Sequence, residues 1–325
     1  MAKHGNPRNT EDAESFTRIH TREHRDRRSA DDAAALDDAF AAYAATNWPG
    51  LAGETQDDDP QQLPPGMRWT TWDSSTPLER GPKPRPDWVI TELAAQDTEY
   101  GVLKTGKEAD VHLIERAVPD TDRRTLMAAK RYRDTKHRMF HRDSGYLEGR
   151  RGRDSRVSRA VSKRSAFGMQ AIAGQWAAAE FDALCRLWRA GAAVPYPVQI
   201  VGTEILMEFI GEEDGTASLR LAQLRPDPEL LEDLWEQLIE AMSLLAREGW
   251  AHGDLSAYNL LVQGGRRLVM IDVPQVIDVV ANPRGLSFLE RDVRNVGRWF
   301  SSHGLPEERV EQLMARVAQD AGLAR

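Results

Sequence analysis

Two carboxylates and an amide, Asp254, Asn259 and Asp272, fall within one short stretch, AHGDLSAYNLLVQGGRRLVMIDVPQ, from Ala251 to Gln275. An acid in a loop, an amide shortly after it and a second acid behind an apolar run form the layout used for phosphoryl transfer. There, one Asp handles the acceptor hydroxyl while the Asn and the other Asp hold a divalent metal. Leu260 to Val262 and Leu268 to Ile271 are apolar runs on either side of Gly264-Gly265, so the stretch reads as a hairpin that brings Asn259 beside Asp272. Two oxygen ligands suit Mg²⁺, with Mn²⁺ as a substitute, because such an ion keeps its other positions for substrate phosphates and water. The competing reading is a surface hairpin with polar ends, and the spacing favours the chemical one.

The elements before this stretch have to supply positive charge. Tyr100 to Lys104 and Asp110 to Glu115 read as strands around the turn Thr105-Gly106-Lys107-Glu108-Ala109. Gly106 would let backbone approach a phosphate, and Lys104 and Lys107 would add charge, although a lone TGK is also an ordinary hairpin turn. Leu126 to Tyr132 is an apolar strand interrupted by Lys130, which must face a cleft or solvent. A helix from about Gly174 to Arg189 places Trp176, Glu180, Leu184 and Leu187 on one face, so Glu180 lies on an apolar stripe and calls for a cation. An edge lysine and a rim glutamate would explain each residue alone. As an ordered pair ahead of Asp254 they read as an ion pair.

Further along, Val198 to Val201 and Glu204 to Gly211 read as strands, the second ending where two lobes would join. The main-chain groups of Glu208 and Ile210 are candidates to pair with an adenine. Pro228 to Trp250 has Leu231, Leu234, Leu238, Met242 and Leu245 at helical spacing and is a core helix stopped by Gly249. After Gln275 only a helix from Leu289 to Phe300 and a terminal one from Pro306 are expected. That leaves no room for a conventional activation segment, and neither DFG nor APE is present.

The chain has 325 residues, a net charge of −8 and one cysteine. The acidic balance does not suggest a nucleic-acid binder, and Cys185 in a helical apolar pattern reads as a small core residue rather than part of a disulfide scaffold. The absence of a long apolar run argues for a cytoplasmic protein with no membrane partner. Residues 1–86, rich in Asp, Ala, Arg and Pro, read as a largely disordered tail, with a short helix at Asp31 to Tyr43 and an apolar cluster of Met67, Trp69 and Trp72. Asp87 is a candidate cap for a short helix from Trp88 to Leu93. Residues 133–168 carry clustered Arg and Lys with scattered Ser, and read as a mobile basic loop able to contact RNA or an acidic partner. Ser155, Ser158 and Ser162 are candidate autophosphorylation sites there, while His137 and His141 lack a third ligand for a metal.

LKTGKEAD, AAK, the Glu180 helix, ILMEFIG, HGDLSAYNLL, IDVPQ and FLERDVRN together resemble the RIO family of atypical serine/threonine protein kinases, over about residues 87–305. The branch without an N-terminal winged helix is the nearer one. The resemblance implies an α+β, bilobal kinase-like fold: a small antiparallel-sheet N-lobe over residues 87–210 and a reduced, mainly helical C-lobe over 211–325. It implies Asp254 as catalytic Asp, Asn259 and Asp272 as metal ligands, Lys130 paired with Glu180, and Thr105, Lys107 and Glu108 in a phosphate loop. Lys104 departs from the family's usual Ser. ATP and Mg²⁺ are the implied cofactors, and the implied acceptor is a protein substrate or the chain itself. The resemblance further implies that the acid matching Asp272 can take phosphate itself, and relatives act in small-subunit ribosome maturation, so a ribosomal particle is an implied partner class. A small-molecule phosphotransferase resembling aminoglycoside and choline kinases also fits the HGD loop, but would need a larger C-terminal lobe. An ATP-binding scaffold is the third reading.

Overall fold

The structure is a computed structural model describing residues 63–133, 166–273 and 276–323. The expected helix at 31–43, most of the basic loop, His137, His141 and the three serines lie outside the described residues.

Six strands form one antiparallel sheet in the order β1-β2-β3-β4-β6-β5. They are β1 (Met67–Trp69), β2 (Gln96–Thr105), β3 (Ala109–Ala117), β4 (Arg124–Tyr132), β5 (Pro197–Val201) and β6 (Glu204–Glu208). Side chains alternate across a strand, so the sheet has two working faces. Ile114, Met127, Ala129, Val198 and Leu206 point to an outer face, covered by Trp72, Val89 and Tyr196. Ala128, Tyr132, Ile205 and Met207 point inward and join the main core with helix α1 (Ala166–Arg189).

The folded part therefore begins well before Asp87, which corrects the expected tail for residues 63–86. Met67 to Trp69 add an edge strand to β2, and Gly81 donates to the Val198 carbonyl. Trp72 is buried, with the guanidinium carbons of Arg80 and Arg85 each 4.9 Å from its ring. The expected helix from Trp88 to Leu93 is absent. Turns replace it, because Val89 and Ile90 gain more by burial than a single helical turn gains by a cap. Helix α1 also starts earlier than expected, taking up residues 166–168 at the end of the basic segment.

The second half is mostly helical. Helix α2 (Pro228–Arg247) is capped by Asp227, whose side chain accepts from the Leu230 N–H, and buries Leu231, Leu234, Trp235, Leu238, Met242 and Leu245. Helices α3 (Gly285–Ser302) and α4 (Glu307–Asp320) pack against it, with Trp235 edge-on to Phe300. Between these helices and the large sheet lies a three-stranded sheet of β7 (Leu219–Arg220), β9 (Leu260–Gln263) and β10 (Arg267–Met270). β9 and β10 form the expected hairpin, with Gly264 and Gly265 at positive φ in its turn. β8 (Trp250–Ala251) and β11 (Ile277–Asp278) pair beside it. The stretch joining Asp272 to α3 is only residues 273–284, so the fold is an α+β kinase-like one without a conventional activation segment.

Candidate active site

β4 carries Lys130 to the inner face, where it pairs in register with Ile205 on β6 and Val111 on β3. Its ammonium donates to Glu180 Oε1 at 2.7 Å and to Asp272 Oδ1 at 2.6 Å. Glu180 is 1% exposed, and its other oxygen accepts from the Tyr132 hydroxyl. Burial alone would drive the Lys130 amine toward neutrality, but the Glu180 and Asp272 carboxylates outweigh it and hold its pKa above the usual lysine value. Tyr132 is pushed the same way by burial and by Glu180, so its phenol stays protonated as a donor.

Asp272 is reached through the hairpin. The Ile271 N–H donates to the Asn259 carbonyl at 3.0 Å, which sets the end of β10 beside the end of the preceding loop. Asp272 itself adopts φ 64°, a conformation that Asp tolerates better than most residues. Its side chain is 35% exposed, in contrast to that of Glu180. Burial would raise its pKa, yet Lys130, Lys104 and His252 together hold the carboxyl below the usual range, so it is ionised.

Asp254 is exposed at the mouth of the same loop. The Asn259 side-chain amide donates to the Asp254 carbonyl at 2.9 Å, leaving Asn259 Oδ1 as its remaining donor atom for a cation. Asn259 Oδ1 and the ionised, half-open Asp272 are both oxygen donors, the donor chemistry a hard divalent ion takes. His252, buried in the loop, lies with Nε2 3.2 Å from the Ile271 carbonyl and Nδ1 3.4 Å from the Asp254 N–H, tying the two acid-bearing segments together.

The expected phosphate turn runs from Thr105 to Ala109, with Thr105, Lys107 and Glu108 exposed. The Gly106 N–H donates to the Ala109 carbonyl at 3.0 Å, and a Cβ on Gly106 would lie 2.8 Å from that oxygen. The glycine is thus required by the turn's own backbone. Lys104 lies next to it, exposed as a residue, with its ammonium pushed below the usual pKa first by desolvation and then by Arg220 and Lys130, against the opposing pull of Asp272. At the junction of the halves, two of the main-chain groups of Glu208 and Ile210 are already taken. The Glu208 N–H donates to the Tyr196 carbonyl at 2.8 Å, and the Ile210 carbonyl accepts from Ser218 at 3.0 Å. An adenine would have to use the opposite groups, the Glu208 carbonyl and the Ile210 N–H.

Residues 118–313 match the RIO domain. The chain belongs to the RIO family. It is 35% identical over 209 residues to the RIO-type serine/threonine-protein kinase Rio1 of Haloferax volcanii, covering 64% of this chain and 65% of that protein. It is 32% identical over 234 residues to the serine/threonine-protein kinase RIO1 of Caenorhabditis elegans, covering 71% of this chain and 43% of the relative. The Rio1 of Thermoplasma acidophilum is 32% identical over 160 residues, 49% of this chain and 77% of that protein. This chain therefore spans less than two thirds of the length of the first two. No helix among the described residues is long and apolar enough to cross a membrane.

Two further residues, both inside the FLERDVRN run, shape the RIO-domain site although the sequence assigned them no role. Asp292 on α3 is fully buried and accepts from the Gly253 N–H at 2.8 Å and the Leu255 N–H at 3.0 Å, clamping the backbone on both sides of Asp254. Burial raises its pKa, opposed by His252 and these two N–H groups. Arg291 reaches the Gly253 carbonyl from the same helix. The signal for Asp292 was its place among Leu289, Val293 and Val296 on the apolar stripe, where a carboxylate needs a partner.

Proposed function

We propose that the chain binds ATP with Mg²⁺ between the sheet and the helical half, and transfers the γ-phosphate to a Ser or Thr hydroxyl of a protein, its own included, or to water. The observation carrying this reading is the Lys130 ammonium held between buried Glu180 and half-open Asp272. Such a cation is preorganised to meet phosphate charge, and the acid is poised to leave it for a metal. Asn259 Oδ1 and Asp272 would hold the ion, which would supply charge neutralisation and orientation of the polyphosphate. Asp254, whose loop is fixed by Asp292 and His252, would receive the acceptor's proton. The Thr105 to Ala109 turn, with Lys104, Lys107 and Glu108, would lie over the phosphates, and the segment from Glu208 to Ile210 would meet the base. The two lobes would divide near Gly211. A cytoplasmic location follows from the same reading, and contact with RNA or a ribosomal particle would run through residues 133–168.

The reading is tested with labelled ATP offered to the protein alone, with ribosomal particles and with small-molecule acceptors, following phosphate release and protein label separately. Label on Ser or Thr, or metal-dependent phosphate release, supports it. Label confined to a small molecule would make the chain a small-molecule phosphotransferase, and ATP binding with neither outcome would make it a scaffold. If Asp272 itself attacks the γ-phosphate, forming an acyl phosphate as ADP leaves, hydroxylamine-labile label should build up in Asp254→Ala, and wholly resistant label would exclude that route.

A further inference from the structure

Arg220 stands where the two halves of the cleft meet, although neither its position nor its type drew attention in the sequence. It ends β7 and pairs in register with Leu261, two residues past Asn259. Its Nη1 donates to the Tyr258 carbonyl at 2.8 Å, one residue before Asn259, so the guanidinium is anchored to the loop that carries the metal-type donor. Across the cleft, Lys104 pairs with Val111, and Val111 pairs on its other side with Lys130, which places the two lysines in one row on the inner face. The Lys104 ammonium lies in the fields of Asp272, Arg220, Lys130 and Glu180. Among the described residues, neither Lys104 nor Arg220 forms an ion pair with a carboxylate.

Neither cation has an ion-paired carboxylate among the described residues, and Lys104 feels both the attraction of half-open Asp272 and, more weakly, the repulsion of Arg220, so an Asp272 that turns to a metal would leave the two cations facing each other. An anion entering between them would relieve that repulsion and gain charge-assisted hydrogen bonds from the guanidinium N–H groups not committed to Tyr258. Resting on the ATP reading above, we infer that Arg220 is a polyphosphate-binding residue that works with Lys104 as a second cation pair and makes the site discriminate nucleotides by their phosphate chain. Lys130 is shared with Glu180 and Asp272, so Lys104 and Arg220 add a second source of positive charge for the polyphosphate beside it. Arg220 is a binding residue and does not take part in bond making.

The test is equilibrium binding of ATP with Mg²⁺, of ADP and of adenosine to the full chain as wild type, Arg220→Ala and Arg220→Lys, with thermal unfolding as a check on folding. Loss of one charge-assisted contact predicts ATP binding weakened roughly tenfold in Arg220→Ala, with adenosine almost unaffected and Arg220→Lys intermediate. In turnover, KM for ATP should rise while kcat holds. Unchanged ATP affinity would overturn the inference. Equal weakening of ATP and adenosine would also overturn it, because Arg220 would then serve only to support the Tyr258 backbone. If wild type itself binds no ATP, the nucleotide reading fails first, an outcome distinct from a wild type that binds and a variant that binds equally well.

Discussion

Opposite faces of β3 and β4 carry two charged clusters that differ in how completely they are closed. On the outer face, Arg116 is fully buried and donates to both oxygens of Asp97, at 2.6 and 2.9 Å, while its other contacts go to Gln199 Oε1 at 3.4 Å. Gln199 in turn donates to Thr71 at 2.7 Å. On the inner face, Lys130 holds buried Glu180 and Asp272, but the Asp272 side chain keeps 35% of its surface open. Both clusters compensate charge within the fold, yet only the inner one has an acid that can change partners. A saturated ion pair ties a structure together, whereas an open one stores affinity for something that arrives later.

That contrast breaks most visibly at Arg116. Arg116→Ala leaves buried Asp97 with only Arg68 Nε, 3.6 Å away, so folding stability should fall by about 3 kcal/mol, while the fraction that remains folded binds ATP normally. Denaturant unfolding alongside nucleotide titration would show it. A variant that lost ATP binding with little loss of stability would place the outer cluster in the site. Lys130→Ala should differ in its effect on function, lowering turnover by roughly 10²-fold or more in the folded fraction, although it too costs stability because buried Glu180 keeps only the Tyr132 hydroxyl. Unchanged affinity and turnover would remove Lys130 from the chemistry.

A smaller effect is expected with pH. Asp272 and Glu99 have folded pKa values below their ordinary values of 3.8 and 4.5, so each stabilises the fold above those values and ceases to do so as pH falls through the folded ones. Lys130 runs the other way, stabilising fully below 10.5 and losing that contribution as pH rises through its raised folded value. Melting temperature against pH should therefore drop on the acid side, and less steeply in Asp272→Asn than in wild type. Parallel acid limbs in the two proteins would contradict an ionised, ion-paired Asp272.

Much of the arrangement of the inner face was legible in residue types and spacings. Asp254, Asn259 and Asp272 stand at distances a hairpin can close, and Lys130 and Glu180 each broke an apolar pattern that demanded a reason. The outer face was hidden for a physical reason as well. Residues 63–86 have the Pro and charge content of a solvated tail, but Trp72 between two guanidinium groups packs that same composition onto the sheet. The missing helix at Trp88 shows tertiary burial overriding a local cap, since Val89 and Ile90 are needed against the sheet. Asp292 lies inside the FLERDVRN run that carries part of the resemblance, yet its role as a backbone clamp was not legible. Its partners are backbone groups a long way back in sequence, which no side-chain pattern reveals.

The central claim is that the open acid of the inner cluster exchanges Lys130 for a metal-bound nucleotide, and ATP affinity with and without Mg²⁺ in wild type, Asp254→Ala and Asp272→Ala measures it directly. Wild type and Asp254→Ala should bind ATP alike and gain the same increment from Mg²⁺, whereas Asp272→Ala should lose that increment because an oxygen ligand to the ion is gone. An Asp272→Ala protein whose ATP binding responds to Mg²⁺ as strongly as wild type would contradict the account.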